Sequence, residues 1–163
     1  MKGVHRRAVL ARVTLALALA IVQGCSRSKP PPVIAKTDVD RVGGVVNIPP
    51  ANIRSAYWLV IEDPNQSALP PAQLRLYAYL EIEPSAWPSL DSNVGPCGAP
   101  TSLPLPTNVA LALFGPGASS LTADEDTRNV KGIECAARGM GRPGRAVRFK
   151  DALVIDARWW SGN

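Results

Sequence analysis

Three glycines near the C-terminus have the spacing of a loop that binds phosphate. Gly139, Gly141 and Gly144 form the pattern G-x-G-x-x-G. In a dinucleotide-binding site this pattern follows a strand, begins a helix and is followed by an acidic residue about 20 positions later. Here Pro143 lies inside the pattern, and the residues after Gly144 are typical of a strand. We therefore predict that residues 139–144 form a loop between two strands and that the chain uses no cofactor.

The position of the single histidine excludes most nucleophilic and metal chemistry. His5 lies in an N-terminal segment that we expect to be removed. The remaining chain then has no base for a Ser-His-Asp or Cys-His nucleophile and no ligand for a His-containing metal site. We predict no catalytic residue, no metal site and a protein that is not an enzyme. The alternative is a small carboxylate-dependent hydrolase that uses Glu81 and Glu83, which lie two apart on one predicted strand.

The N-terminus combines a cationic start with a short apolar segment. Lys2, Arg6, Arg7 and Arg12 precede or begin a run that carries no charge from residue 13 to residue 22. Ten helical residues span about 15 Å, which is half of the roughly 30 Å hydrocarbon core of a bilayer. The pattern therefore predicts an export signal and not a transmembrane helix.

The end of this run indicates the type of signal. Val22-Gln23-Gly24-Cys25 resembles the lipobox of bacterial lipoprotein precursors, and the resemblance covers residues 1–25 alone. It implies cleavage before Cys25, lipid attachment to the Cys25 thiol and acylation of its new amino group. Ser26 follows, whereas lipoproteins kept in the inner membrane typically carry Asp there, so the resemblance implies the outer membrane, facing the periplasm. The alternative is an ordinary secretory signal with a coincidental cysteine.

Cysteine usage agrees with export. With Cys25 lipidated, Cys97 and Cys135 remain as an even pair in an oxidising compartment, and we expect them to form a disulfide. The alternative, two free thiols or a redox couple, has no C-x-x-C spacing to support it. The predicted organisation is a signal peptide (1–24), a lipidated cysteine with a proline-rich tether (25–40) and one periplasmic domain (41–163).

Loss of the signal also changes the charge balance. The full chain has 18 Lys and Arg against 13 Asp and Glu, and four basic residues leave with the signal, so 14 face 13. Net charge then gives no case for nucleic acid as a partner. A basic segment nevertheless surrounds Arg138, Arg142 and Arg145. It is either a solvated loop paired with the acidic half of the chain, or a contact site for anionic lipid, lipopolysaccharide or an acidic partner.

The domain is predicted to be mainly β: a small antiparallel sandwich or barrel-like domain with at most one short helix. Residues 53–61 are apolar on both parities, which is typical of a central strand. Residues 74–83 alternate between an apolar and a polar face. Residues 109–114 form a short buried run that we also assign to β structure. The sixteen prolines leave little room for long helices.

Two further segments carry local predictions. Residues 122–129 predict the one short helix, with Thr122 as its cap and acidic residues in its first turn. In the C-terminal stretch the odd positions from Val147 to Trp159 are apolar except for Asp151. This parity predicts one long strand, bent or bulged near Asp151. A two-residue hairpin at Lys150-Asp151 would instead place the odd positions before the turn and those after it on opposite faces of the sheet.

Exposed aromatic residues are the second candidate surface. The parity of their strands places Tyr77, Tyr79 and Trp160 away from the predicted core, near charged residues. Exposed aromatic residues near charges are typical of protein interfaces and of sugar-binding surfaces. The alternative is that a second layer of the fold covers the rings. We therefore predict a lipid-anchored envelope lipoprotein that binds a protein partner, as an assembly, secretion or conjugation accessory, an inhibitor or an immunity protein. The alternative is a structural lipoprotein that contacts the cell wall or lipopolysaccharide.

Overall fold

Seven antiparallel strands form one sheet in the computed structural model, which describes residues 33–62, 74–90, 97–135 and 144–159. The sheet order is β1-β2-β7-β6-β5-β3, with β4 paired to β5, and the sheet does not close. The predicted fold class, a small and mainly antiparallel β domain, is confirmed. The strands are β1 (Ile53–Glu62), β2 (Leu74–Ile82), β3 (Cys97–Pro106), β4 (Thr122–Ala123), β5 (Thr127–Cys135), β6 (Gly144–Phe149) and β7 (Ala152–Trp159).

Helices in the described part of the chain are short, but they are more numerous than predicted. They are α1 (Val39–Val46), α2 (Trp87–Leu90) and α3 (Thr107–Phe114), with 3₁₀ segments at Pro50–Asn52, Pro84–Ala86 and Gly115–Ser120. Helix α1 begins where the Asp38 carboxylate accepts a hydrogen bond from the amide of Arg41, and it ends at Asn47 in the left-handed region. It therefore occupies residues at the junction of the predicted tether and domain.

The sheet is buried on both faces. The first core lies under α1 and residues 84–90 and includes Val42, Trp58, Leu80 and Ile155. The second core lies on the opposite face, under α3. Because successive residues of a strand point to opposite faces, β7 contributes Ile155 to the first core and Val154 to the second.

This two-sided burial explains why β1 has apolar residues at both odd and even positions. We predicted a central strand, but β1 lies at the end of the sheet order. Beyond it, Lys36 forms a bridge to Trp58 through two backbone hydrogen bonds of 2.7 and 2.9 Å. The strand is apolar on both parities because both of its faces are covered, and not because it has neighbours on both edges.

The apolar run at residues 109–114 is helical, so its assignment to β structure is wrong. Within α3 the buried side chains are Val109, Ala110 and Leu113, whereas Leu111 is 53% exposed. This spacing is that of an amphipathic helix whose apolar stripe faces the sheet. A run of six apolar residues has no periodicity that distinguishes the two structures.

The helix predicted at residues 122–129 is also wrong, because this segment forms β4, a tight turn and β5. The amide of Asp124 donates to the Thr127 carbonyl at 2.9 Å, and the amide of Thr127 donates to the Asp124 carbonyl at 3.3 Å. Acidic residues favour turns as well as helix starts. Here they occupy the turn.

The prediction of one long C-terminal strand is wrong as well. Strands β6 and β7 form a hairpin in which Phe149 pairs with Ala152, and Lys150 adopts a φ of 56° in the two-residue turn. Val147 therefore lies in the second core, whereas Leu153 lies in the first. The parity argument required one solvated face, which this sheet lacks at β6 and β7.

Strands flank the glycine pattern, as expected. Strand β5 ends at Cys135 and β6 begins at Gly144, so a strand and not a helix follows the pattern. Gly139 and Gly141 lie outside the described residues. The predicted disulfide between Cys97 and Cys135 is confirmed, and it joins directly paired residues of β3 and β5.

Strands β5 and β6 come so close that Gly132 has no room for a side chain. A Cβ atom there would overlap the carbonyl oxygen of Arg148 and would lie 2.6 Å from Cγ1 of Val147. We expect Gly132→Ala to lower the free energy of unfolding by about 1–3 kcal/mol, because the backbone must move to admit the methyl group. Urea unfolding measures this change. Gly98→Ala is the control, since nothing lies within 4 Å of its Cβ position, and an equal loss in both variants would contradict the prediction.

Candidate functional site

A groove of about 430 Å³ opens on the second face of the sheet, where the end of α3 meets β1, β2 and the β6–β7 turn. We call it the aromatic groove, because Tyr57, Tyr79, Phe114 and Phe149 line it. Its size is within the range of about 300–1,000 Å³ that is usual for ligand sites. Glu81 and Lys150 are the charged residues of its lining.

The register of the sheet and the position of α3 bring the four rings together. Tyr57 pairs with Tyr79 across β1 and β2, and their ring centroids lie 6.4 Å apart with a 43° angle between the planes. The Tyr79 ring meets Phe114 of α3 at 4.9 Å and 61°, and Phe114 meets Phe149 at 6.2 Å and 83°. Tilted and edge-to-face contacts between aromatic rings are favourable and stabilise this arrangement of the side chains. The result is a continuous series of rings, in which Tyr57 is 41% exposed.

Glu81 forms the polar wall of the aromatic groove. Its carboxylate accepts a hydrogen bond from the Ser55 hydroxyl at 2.7 Å and one from the Tyr79 hydroxyl at 3.4 Å. Burial raises the pKa of Tyr79 above its ordinary value, and the negative charge of Glu81 raises it further. Both effects disfavour ionisation of the Tyr79 hydroxyl, which is the donor in its bond to Glu81.

Lys150 lies at the other side of the groove, in the turn between β6 and β7. Its ammonium group lies 5.2 Å from the centroid of the Phe149 ring, within the range of a cation–π contact. The site thus presents an apolar aromatic floor, a carboxylate and an ammonium group. This arrangement suits the binding of an apolar segment that carries a few polar or charged groups.

The predicted aromatic residues have different positions. Tyr79 belongs to the aromatic groove, but Tyr77 is only 2% exposed and lies in the second core, so the prediction that it is exposed is wrong. The side chain is covered because this face of β2 is packed and not solvated. Trp160 lies outside the described residues, as do Arg138, Arg142 and Cys25.

Arg75 and Asp156, which lie close to Tyr77, pair with each other, and Arg145 of the predicted basic segment has partners within the sheet. Arg75 donates two hydrogen bonds of 2.9 Å to the Asp156 carboxylate, and Asp156 is 7% exposed. Arg145 donates to the Thr101 hydroxyl at 3.0 Å and lies 3.6 Å from Glu134. Arg145 therefore joins β6 to β3 and β5.

The two carboxylates of the hydrolase alternative have separate partners. Glu81 bonds Ser55, whereas Glu83 forms an ion pair of 3.3 Å with Arg54. In the ranges that the structure covers, no group of three or more His, Cys, Asp and Glu side chains has an arrangement that would hold a metal ion. Over the same ranges, no helix has the length and apolar character needed to cross a membrane.

Sequence reasoning missed Tyr57, Phe114, Phe149 and Lys150 as members of one site. Tyr57 and Phe149 lie 92 positions apart in the sequence, and the pattern of residues 109–114 in α3 predicts β structure. The available signal was an aromatic residue in each of four segments, but nothing in the sequence places those segments side by side. No protein-family model, curated protein or solved structure matches this chain.

Proposed function

We propose that this chain is a lipid-anchored lipoprotein of the bacterial envelope that binds a protein partner through the aromatic groove. The ring series that lines the groove supports the binding role, because its outermost ring, Tyr57, is 41% exposed and aromatic residues are enriched in protein interfaces. This ring series is the observation that carries the proposal.

The envelope location is part of the same proposal. The lipobox-like residues Val22 to Cys25 support lipid attachment, and Ser26 supports the outer membrane, facing the periplasm. The Cys97–Cys135 disulfide agrees with an oxidising compartment. Within this class, an assembly, secretion or conjugation accessory, an inhibitor and an immunity protein share the same layout. We place a cell-wall or lipopolysaccharide contact second, because Arg145 already donates a hydrogen bond to Thr101 and forms an ion pair with Glu134.

Lipid attachment is tested at Cys25. In bacteria that process lipoproteins, the wild-type chain is expected in the membrane fraction, with a mature mass that begins at Cys25 and includes three acyl chains. Cys25→Ser is expected to leave the membrane fraction, since two or more buried chains are needed for stable attachment. Cell fractionation checks the location of both proteins, and mass spectrometry of the purified wild-type protein checks its mature mass. An intact leader, or an unmodified thiol at the mature start, would contradict the anchored state.

Partner binding is tested by a photo-crosslinking amino acid at Tyr57 in living cells. We expect a discrete crosslinked protein, because Tyr57 is 41% exposed at the groove. The same amino acid at Ile133 is the control, since Ile133 is 43% exposed in a strand and does not line the groove. Absence of any adduct from Tyr57, or the same adducts from both positions, would refute the proposed function.

A further inference from the structure

The aromatic groove has the properties of a site for one kind of peptide. We infer that it binds an extended, proline-rich segment of the partner that carries a basic residue. This inference rests on the proposed function and deepens it, since it names the chemistry of the segment that enters the groove.

The shape of the ring series is the first reason. The angles between neighbouring ring planes are 43°, 61° and 83°, so the four rings do not share one flat face. A sugar chain stacks its flat faces on rings that lie parallel to them, whereas pyrrolidine rings pack against the uneven surface between tilted aromatic rings. Proline-rich segments also lose little conformational entropy on binding, because their polyproline II conformation is already formed.

Hydrogen bonding is the second reason. A polyproline II segment has no internal hydrogen bonds, so its carbonyl groups need donors from outside. The hydroxyl of Tyr57 is such a donor: the ring is partly exposed, and no hydrogen bond joins this hydroxyl to another described residue. An aromatic ring with a hydroxyl at its outer end can pack against a proline ring and bond the next carbonyl.

Charge is the third reason, and it selects a basic residue. The Glu81 carboxylate bonds two hydroxyl groups and forms no ion pair among the described residues; its charge also acts on Arg54, but Arg54 is paired with Glu83. A carboxylate has about four lone-pair sites, so Glu81 retains acceptor capacity for an ammonium or guanidinium group. Asp151 adds a second negative charge near Tyr79. Lys150 is the opposing cation, but its ammonium group lies over the Phe149 ring. Glu81 is therefore the group that a lysine or arginine of the peptide would contact.

The test is a binding titration with the mature lipidated protein in detergent. The probes are fluorescein-labelled peptides of prolines with one lysine or arginine at each position, and the readout is fluorescence anisotropy. We expect saturable binding by at least one peptide, with a weaker signal for the peptide that contains prolines only. Binding of every peptide weaker than about 1 mM would overturn the inference.

Matched variants locate the binding site. Tyr57→Ala is expected to weaken binding at least about tenfold, as loss of an aromatic anchor does, and Tyr57→Phe is expected to cause a smaller loss. Ile133→Ala is the control and is expected to bind like the wild type. Glu81→Gln is expected to weaken binding of the basic peptide about three- to fivefold and to leave the all-proline peptide unchanged. Thermal unfolding of each variant establishes that it is folded.

Two outcomes separate this inference from the proposed function. If the adduct from Tyr57 joins a protein segment without proline, or if peptidoglycan fragments and not the peptides bind at Tyr57, the inference fails. In the first case the proposed function stands. If no protein adduct forms from Tyr57 in cells, the proposed function itself fails.

Discussion

Replacing both Cys97 and Cys135 by serine is expected to lower the free energy of unfolding by roughly 4 kcal/mol. The two cysteines are 38 positions apart, and the bond restricts this loop in the unfolded chain. It also joins β3 to β5 at one end of their ladder. Strand β3 is an edge strand whose Pro100, Pro104 and Pro106 have the same parity, so their missing amides fall on one side. In the native state β5 and the disulfide thus hold β3 in place.

The loss of stability in the double variant is expected to affect β3 and α3 before the rest of the domain. Strand β3 leads directly into α3, which carries Phe114 of the aromatic groove. In the double variant we expect faster hydrogen exchange first in β3 and α3, while β2 and β7 keep their protection. Urea unfolding and hydrogen exchange measured by mass spectrometry check the two parts. A free energy within about 1 kcal/mol of the wild type would contradict this prediction, since loops of this length normally give more.

Trp58→Ala is expected to lower the free energy of unfolding by about 3–5 kcal/mol, as truncation of a buried tryptophan does. The side chain is 1% exposed in the first core, and its Nε1 donates to the Asp38 carbonyl at 3.1 Å. The Lys36 ammonium and the Arg41 guanidinium lie 4.9 and 5.8 Å from the ring centroid. Trp58 therefore joins α1 and the segment before it to the sheet.

The neighbouring residue gives the control for this substitution. Tyr57 is adjacent in the same strand but points to the opposite face and is 41% exposed. We expect Tyr57→Ala to change stability by less than about 1 kcal/mol, because it leaves no buried cavity. Trp58→Phe retains most of the packing and is expected to fall between the two. Equal stability of Trp58→Ala and Tyr57→Ala would show that α1 is not held by this side chain.

Some features followed from local patterns in the chain. The alternation at residues 74–83 predicted β2 because side-chain direction in a strand changes at every residue. The pairing of Cys97 with Cys135 followed from counting, once Cys25 was assigned to lipid. The strand that follows the glycine pattern was predicted from Pro143 and the apolar residues after it. Each of these inferences depended on residue types and spacings, and not on how distant segments pack together.

Other features required knowledge of what packs against each strand. The chain does not reveal locally that both faces of β2 and β7 are covered, so the parity of Tyr77 and of residues 147–159 led to wrong predictions. The run at 109–114 is apolar in either structure, and its contact with the sheet makes it α3.

The residue types and their short spacings therefore predicted a mainly β chain with one disulfide, because composition and short spacings are properties of neighbouring residues. The aromatic groove has a different origin. Its rings come from β1, β2, α3 and β6, and they meet only after helices cover both faces of the sheet. Burial of apolar surface between distant segments drives that meeting, and it depends on the whole fold and not on any single stretch of sequence.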